Sequence, residues 1–379
     1  MQTVPPNAEN QYIEFKREET SAQTLAEEIV AFANGEGGEI WFGLDDQGQA
    51  RGLSRDYEED VMNICRTAVI PPLCPTYQVV QLQTSEGVWV NVARISISKG
   101  ADRPYYTSKN RYFIRVGSTK RVASREELTR LFQSAGLFHY DTVEVGGAQL
   151  KHLNQSGIAD YFSRYHVDFL QEDEAERHRL IIASDIASEQ LIPTVGGLLV
   201  FGITPERHLP QSGISFAVFS GTEINSNLRD KKIFLGGLPM QIDNAMSAIK
   251  ANIPIASDIQ EAKRVDQPNY PDKVFRELLV NACVHRNYSI VGSQIRVFMF
   301  DDRIEFISPG RLPNTVTVSK LTTGTSFSRN PLLVRLMEHL GYMDKLGRGL
   351  PMVYRESKKM NKSLEFVDEG DEFRVILGL

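Results

Sequence analysis

The spacing of apolar positions changes along the chain, and the changes divide it into elements. In "YIEFK", Ile13 and Phe15 alternate with Glu14 and Lys16. A period of two predicts a short strand with one apolar and one charged face. Residues 21–33 carry a helical stripe of Leu25, Ile29, Val30, Phe32 and Ala33. "NGEGG" breaks the chain at 34–38, and "EIWFGL" runs on as a buried strand. "DDQG", residues 45–48, has the composition of a hairpin turn. Strand-like runs follow at 76–83, 88–97 and 111–116, and Ser124 with Glu127 marks a capping box for a helix ending near Gly136. Periodicity is lost over 137–150, which places a boundary there.

In the middle third, "LNQSGIADYFSRY" predicts a helix, "TVGGLLVFGITPERHLP" a buried strand followed by a loop, "ISFAVFS" another strand, and 238–252 a helix. The last third opens with the helix "DKVFRELLVNACVHRNYS", striped by Val274, Leu278 and Ala282. A hairpin, two helices separated by "KLGRGL", and a closing hairpin complete it. The fold class expected is α/β in the first third, an α/β connector in the middle, and α+β in the last, with helices covering an antiparallel sheet. Domains are expected at 1–137, 138–262 and 263–379.

Composition narrows the function. A chain of 379 residues is too long for one ordinary core. There is no N-terminal apolar segment and no run long enough to span a bilayer, so the expectation is a cytoplasmic protein without a membrane partner. Three cysteines without a CxxC pair argue against a disulfide framework or a structural zinc. With a net charge of −6, any polyanion must be met by local basic surface. Residues 99–125 supply one: Arg103, Lys109, Arg111, Arg115, Lys120 and Arg121, interleaved with Tyr105, Tyr106 and Tyr112. Cations contact phosphates and aromatic rings stack on unpaired bases. A solvated hairpin would look the same.

The densest chemistry is N-terminal. Glu9, Glu14 and Lys16 come from the first strand region, and Asp45 and Asp46 end a second strand expected beside it. Hard divalent ions such as Mg²⁺ or Mn²⁺ take carboxylate oxygens, and a nearby lysine stabilises charge on a phosphoryl group. The set suits metal-assisted phosphodiester cleavage; a charged strand edge and an acidic turn is the plainer alternative.

"ENQYIEFKRE", "AFANGEGGEIWFGLDDQGQARG" and "RPYYTSKNRYFIRVGSTKRVAS", in this order, resemble the AlbA-type domain of the schlafen family over residues 9–135. The resemblance implies a nuclease acting on tRNA-like RNA or on DNA, in stress response or antiphage defence. It places a divalent metal on Glu9, Glu14 and Asp46, with Asp45 a close rival and Lys16 the neighbouring cation.

"FRELLVNACVHRNYS" looks like the N-box of the GHKL ATPase fold. That likeness implies water activation by Glu277, Mg²⁺ binding by Asn281, and ATP held near Gly310, Gly347 and Gly349. Ser308 and Pro309 stand where that fold has its adenine-reading Asp, so weak base discrimination and slow or absent hydrolysis are expected. GHKL-type domains often dimerise, which makes a homodimer an expectation. With the middle region, this part resembles bacterial helicase-related transcriptional regulators, yet no Walker A or helicase motor motif is present. The alternative function is therefore a DNA-binding, ATP-responsive transcriptional regulator without nuclease activity; a simple ATPase is the third. His285 is expected as a half-buried helix-end residue.

Overall fold

The alternation of Ile13 to Lys16 becomes strand β1 (Ile13–Lys16), and the stripe behind it becomes helix α1 (Ala22–Asn34). Ser21 caps α1 by accepting from the Thr24 amide at 3.1 Å. The computed structural model describes residues 8–164, 182–185, 190–224, 227–253, 257–260, 263–266, 270–313, 316–324, 327–344 and 347–379. The chain falls into two compact units, 1–138 and 139–379.

In the first unit, β2 (Gly37–Phe42), α2 (Glu58–Thr67), β3 (Val69–Ile70), β4 (Thr76–Gln83), β5 (Trp89–Ser98), β6 (Tyr106–Thr107), β7 (Phe113–Val116), β8 (Thr119–Val122) and α3 (Arg125–Ser134) follow. The main sheet has the order β1-β2-β5-β4. Strand β1 runs parallel to β2, with Glu14 opposite Ile40 and Lys16 opposite Phe42. Residues opposite each other share a face. Ile40, Phe42, Ala93 and Ile95 pack with Leu25, Ile29 and Phe32 of α1. Phe15, Trp41 and Val92 form a second small core with Leu44 and Ala50. Glu14 and Lys16 thus stand on the helix-covered face of the sheet. The capping box of α3 forms as its sequence predicts, with reciprocal bonds of 2.8 and 3.2 Å between Ser124 and Glu127.

The second unit contains α4 (Gln155–Arg164), β9 (Ile182–Asp185), β10 (Gln190–Pro193), α5 (Val195–Phe201), β11 (Ile214–Ser220), β12 (Asn227–Phe234) and α6 (Leu238–Asn252). Then come β13 (Ser257–Gln260), β14 (Lys263–Asp266), α7 (Asp272–Val284), β15 (Ile295–Met299), β16 (Arg303–Pro309), α8 (Pro331–His339), α9 (Gly349–Lys359), β17 (Leu364–Glu369) and β18 (Glu372–Gly378). Its large sheet is ordered β12-β11-β15-β16-β18-β17 and is antiparallel except for β11 and β15. Residues of α6, α7 and α8 share one continuous core with the inward side of this sheet.

Two expectations need correction. Residues 195–201, read as a buried strand, are helix α5, buried along its whole length. A continuous apolar run carries no period to separate strand from buried helix. The local decision comes from Thr194, whose hydroxyl accepts from the Gly197 amide at 3.1 Å and caps a helix start. The boundary at 262 also fails as a division of the fold. Strands β11 and β12, inside the supposed connector, pair into the sheet of the last third through β11–β15.

Candidate functional sites

In the first unit, the carboxylates expected to hold a metal do four different things. Glu14 is 5% exposed and ion-pairs with Lys16 and, at 2.6 Å, with Arg115. Glu28 of α1 joins them, at 3.4 Å from Lys16, 3.2 Å from Arg115 and 3.1 Å from Lys120. Burial works against the Lys16 ammonium, but Glu14 and Glu28 outweigh it and hold its pKa above the ordinary value. Glu9 accepts from the Phe15 amide at 2.9 Å. Burial, with Glu14 and Asp46 nearby, raises the Glu9 pKa despite that bond and Lys16. Asp46 is exposed and makes no hydrogen bond or ion pair among the described residues. Asp45 is buried in its turn, accepting from the Gln47 and Gln49 amides at 3.0 and 2.9 Å and pairing with Arg51 at 2.8 Å. Burial would raise its pKa, but those bonds overcome it and the value is lowered.

Glu9, Glu14, Lys16 and Asp46 are therefore electrostatic neighbours, while Asp45 serves the turn. Among the described residues no three His, Cys, Asp or Glu side chains stand together as a metal site. As arranged, with Glu14 taken by two cations, the donor set does not fit a divalent ion. Sequence reasoning missed Glu28. Its signal was an acid inside the otherwise apolar stripe of α1.

In the second unit, α7 sets Glu277, Asn281 and His285 at four-residue spacing along one pocket. Gly310, Gly347 and Gly349 reach the same pocket from two other segments; Lys345 and Leu346, the start of "KLGRGL", lie outside the described residues. Asn281 Nδ2 donates to Glu277 Oε1 at 2.6 Å and to the Glu277 carbonyl at 2.8 Å. Burial raises the Glu277 pKa, with Asn281 opposing and Asp344 adding to it. A Cβ on Gly349, the first residue of α9, would overlap the Glu277 carboxylate. His285 is the half-buried C-cap of α7; burial and the nearby Arg329 push its pKa down to about 4. Leu278, Ala282, Phe306 and Val375 give the pocket an apolar wall.

Residues 9–124 match the family model described as "Schlafen, AlbA_2", and residues 292–377 match the one described as "Putative ATP-dependent DNA helicase recG C-terminal". The two matched regions are thus similar to a schlafen AlbA-type domain and to a GHKL-like one. These domains mark a nucleic-acid-related protein with an ATPase-like part. The crystal structure of the DIP2311 protein from Corynebacterium diphtheriae is similar at 21% identity and a TM-score of 0.47, over 97% of this chain and 75% of that one. No curated protein matches. Among the described residues, no helix is long and apolar enough to cross a membrane.

The basic stretch of the AlbA-type domain separates into two groups. Arg103 is buried, with Nη1 donating to the carbonyls of Asn34 and Gly35 at 3.3 and 3.2 Å. The Arg115 side chain is 3% exposed, paired as above and stacked 4.5 Å from the Phe32 ring centre. Both are corrections: these guanidinium groups are spent on the fold. Lys120 is half-buried between Glu27 and Glu28, each at 3.1 Å. Lys109, Arg111 and Arg121 are exposed, and the Tyr106 and Tyr112 rings of the same stretch have centres 5.1 Å apart. Reversing Lys109 and Arg111 to Glu is expected to weaken RNA or DNA binding and to lower its salt slope by about 1.4 to 1.8, at ~0.7–0.9 per phosphate contact. Arg103→Gln is expected to lower the unfolding midpoint instead. Filter-binding titrations over a salt series check this; an unchanged slope in the Lys109/Arg111 variant would leave that group as solvated surface.

Proposed function

We propose that this protein is a nucleic-acid-binding, ATP-responsive regulator that takes a nucleoside triphosphate in the pocket along α7. The observation carrying this reading is the meeting of Glu277, Asn281, Gly310, Gly347 and Gly349 on one pocket, although they come from three separate segments. The two donations from Asn281 Nδ2 fix its amide and leave Oδ1 as an acceptor for a cation. Bound Mg²⁺ would neutralise phosphate charge beside Glu277. The Gly349 amide opens α9, where N–H groups have no partner within the helix and suit an anion.

The apolar wall suits a planar base. Ser308 is buried and donates its hydroxyl to the Ala282 carbonyl at 2.8 Å, so it offers no carboxylate to an exocyclic amine. ATP and GTP are therefore expected to bind with similar, modest affinity. Glu277 Oε1 is held by the bond from Asn281 Nδ2, which it would have to give up to take a proton from water, and turnover is expected to be slow or absent. Calorimetry of the full-length protein with MgATP and MgGTP tests the reading, with Asn281→Ala expected to bind about tenfold more weakly or worse. No detectable binding by the wild type would reduce this region to a structural or dimerisation domain.

A second reading, a divalent-metal-dependent nuclease acting on tRNA-like RNA or on DNA in stress response or antiphage defence, draws support from the Glu9 carboxyl. It feels both Glu14 and Asp46, a like-charge grouping that a cation would relieve. The reading requires Glu14 to leave Lys16 and Arg115. Labelled tRNA and DNA incubated with Mn²⁺, with and without EDTA, decide the matter. Cleavage that EDTA stops, and that Glu9→Gln and Asp46→Asn both lose, supports the nuclease; no metal-dependent cleavage leaves the regulator.

A further inference from the structure

The pocket along α7 is electrically lopsided. Glu277 and Asp344 line one end, by the start of α9. Eight residues along the same helix, ~12 Å away at 1.5 Å per residue, the carbonyl of His285 accepts from Arg329 Nη1 at 3.1 Å. Arg329 Nη2 donates to the Arg311 carbonyl. Arg329 is 7% exposed, and both bonds go to neutral oxygens. Among the described residues no carboxylate lies within ion-pair distance of it. Asp368, the acid that bears on it most, is engaged by Arg311 at 3.8 Å and by the Leu312 amide at 3.0 Å. A buried cation without a counter-charge is costly.

A second, independent signal stands next to it. Ser328 Oγ is buried and finds no hydrogen-bond partner among the described residues. Buried polar groups usually have a hydrogen-bond partner, and this one is open to an occupant of the pocket. Both side chains line the pocket. The loop opposite makes room for the guanidinium: Gly310 has φ +108°, and a Cβ there would come within 2.6 Å of Arg329 Nη1. His285, neutral at physiological pH, adds no competing charge.

We infer that Ser328 and Arg329 form an anion-binding arm of this pocket, which takes the end of the nucleotide's phosphate chain that lies away from Glu277 and Gly349. The inference rests on the nucleotide reading of the pocket and deepens it by naming what selects a charged ligand over a bare nucleoside. The guanidinium retains free N–H donors and offers a planar fork to phosphate oxygens, while the serine hydroxyl donates a further bond. A carboxylate on another ligand would satisfy the same two groups less fully, having two oxygens where a phosphate chain offers many.

The test uses the full-length protein and calorimetry with ATP, adenosine and inorganic triphosphate, on the wild type, Ser328→Ala and Arg329→Lys. Thermal melts check that each variant folds. Wild type is expected to bind ATP and triphosphate well above adenosine. Ser328→Ala should lose about tenfold for ATP, and Arg329→Lys about tenfold or more, with adenosine unchanged in both. If Arg329→Lys fails to fold, Ser328→Ala still decides. Folded variants that hold ATP as tightly as the wild type would overturn the arm and leave the nucleotide pocket standing. A wild type that binds neither ATP nor triphosphate would overturn the pocket reading and the arm with it.

Discussion

Gly349→Ala is expected to weaken MgATP binding by the full-length protein ~10- to 100-fold, the cost of losing one or more charge-assisted contacts. It should move the unfolding midpoint by only a few degrees. The residue opens α9 with ordinary helical neighbours, so alanine is compatible with the backbone there. What alanine meets is the Glu277 carboxylate, which occupies the space of its Cβ. The end of a flexible side chain moves at little cost. Moving it breaks the 2.6 Å bond from Asn281 Nδ2 and releases the amide that would face the cation. The double variant Glu277→Ala/Gly349→Ala separates this cause from a general disturbance. If the clash is responsible, the double variant binds no worse than Glu277→Ala alone. Wild-type affinity in Gly349→Ala would show that the approach of Glu277 to α9 plays no part in binding.

The other large effect belongs to the first unit. Glu14→Gln is expected to destabilise it by about 3–5 kcal/mol, the usual consequence of removing one partner from a buried ion pair. For a unit of this size that corresponds to a fall in unfolding midpoint of roughly 10 °C or more. Arg115 would retain Glu28 at 3.2 Å and the Asn10 carbonyl at 2.7 Å, but Lys16 would lose its shortest contact. Replacing Glu14 and Arg115 together by Leu and Met should recover part of the loss, because no charge is then left buried without its partner. Circular dichroism melts of the three proteins check this. A Glu14→Gln protein as stable as the wild type would show that the ion pairs of Glu14 contribute nothing to the stability of the fold. The same expectation bears on nuclease assays. Loss of cleavage in Glu14→Gln would be confounded by unfolding, whereas Glu9 and the exposed Asp46 can be changed at small structural cost.

Local order is largely legible in the chain itself. Strand β4 spans the residues its alternation marks, α3 starts at the capping box of Ser124 and Glu127, and α7 carries Glu277 and Asn281 one turn apart as their spacing requires. These features depend on period, caps and turn residues within a few positions, which the chain states directly. Residues 195–201 show the limit: a run that is apolar throughout has no period to read, and only the Thr194 cap before it marks a helix. The convergence of the pocket's glycines with α7 is legible only because resemblance supplies the pairing.

By itself the sequence determined the elements, the charged residues available to the two candidate sites, and the likeness to two known domains. Tertiary structure alone decided what each charge does. Arg115 reaches Glu14 across 101 positions, and Arg329 reaches His285 across 44. Arg103 and Arg111 look alike as letters, yet one is sealed against carbonyls and the other faces water. The physical reason is that a charge acts through its partner and its solvation. Both are set when distant segments pack together, and neither is a property of neighbouring residues in the chain.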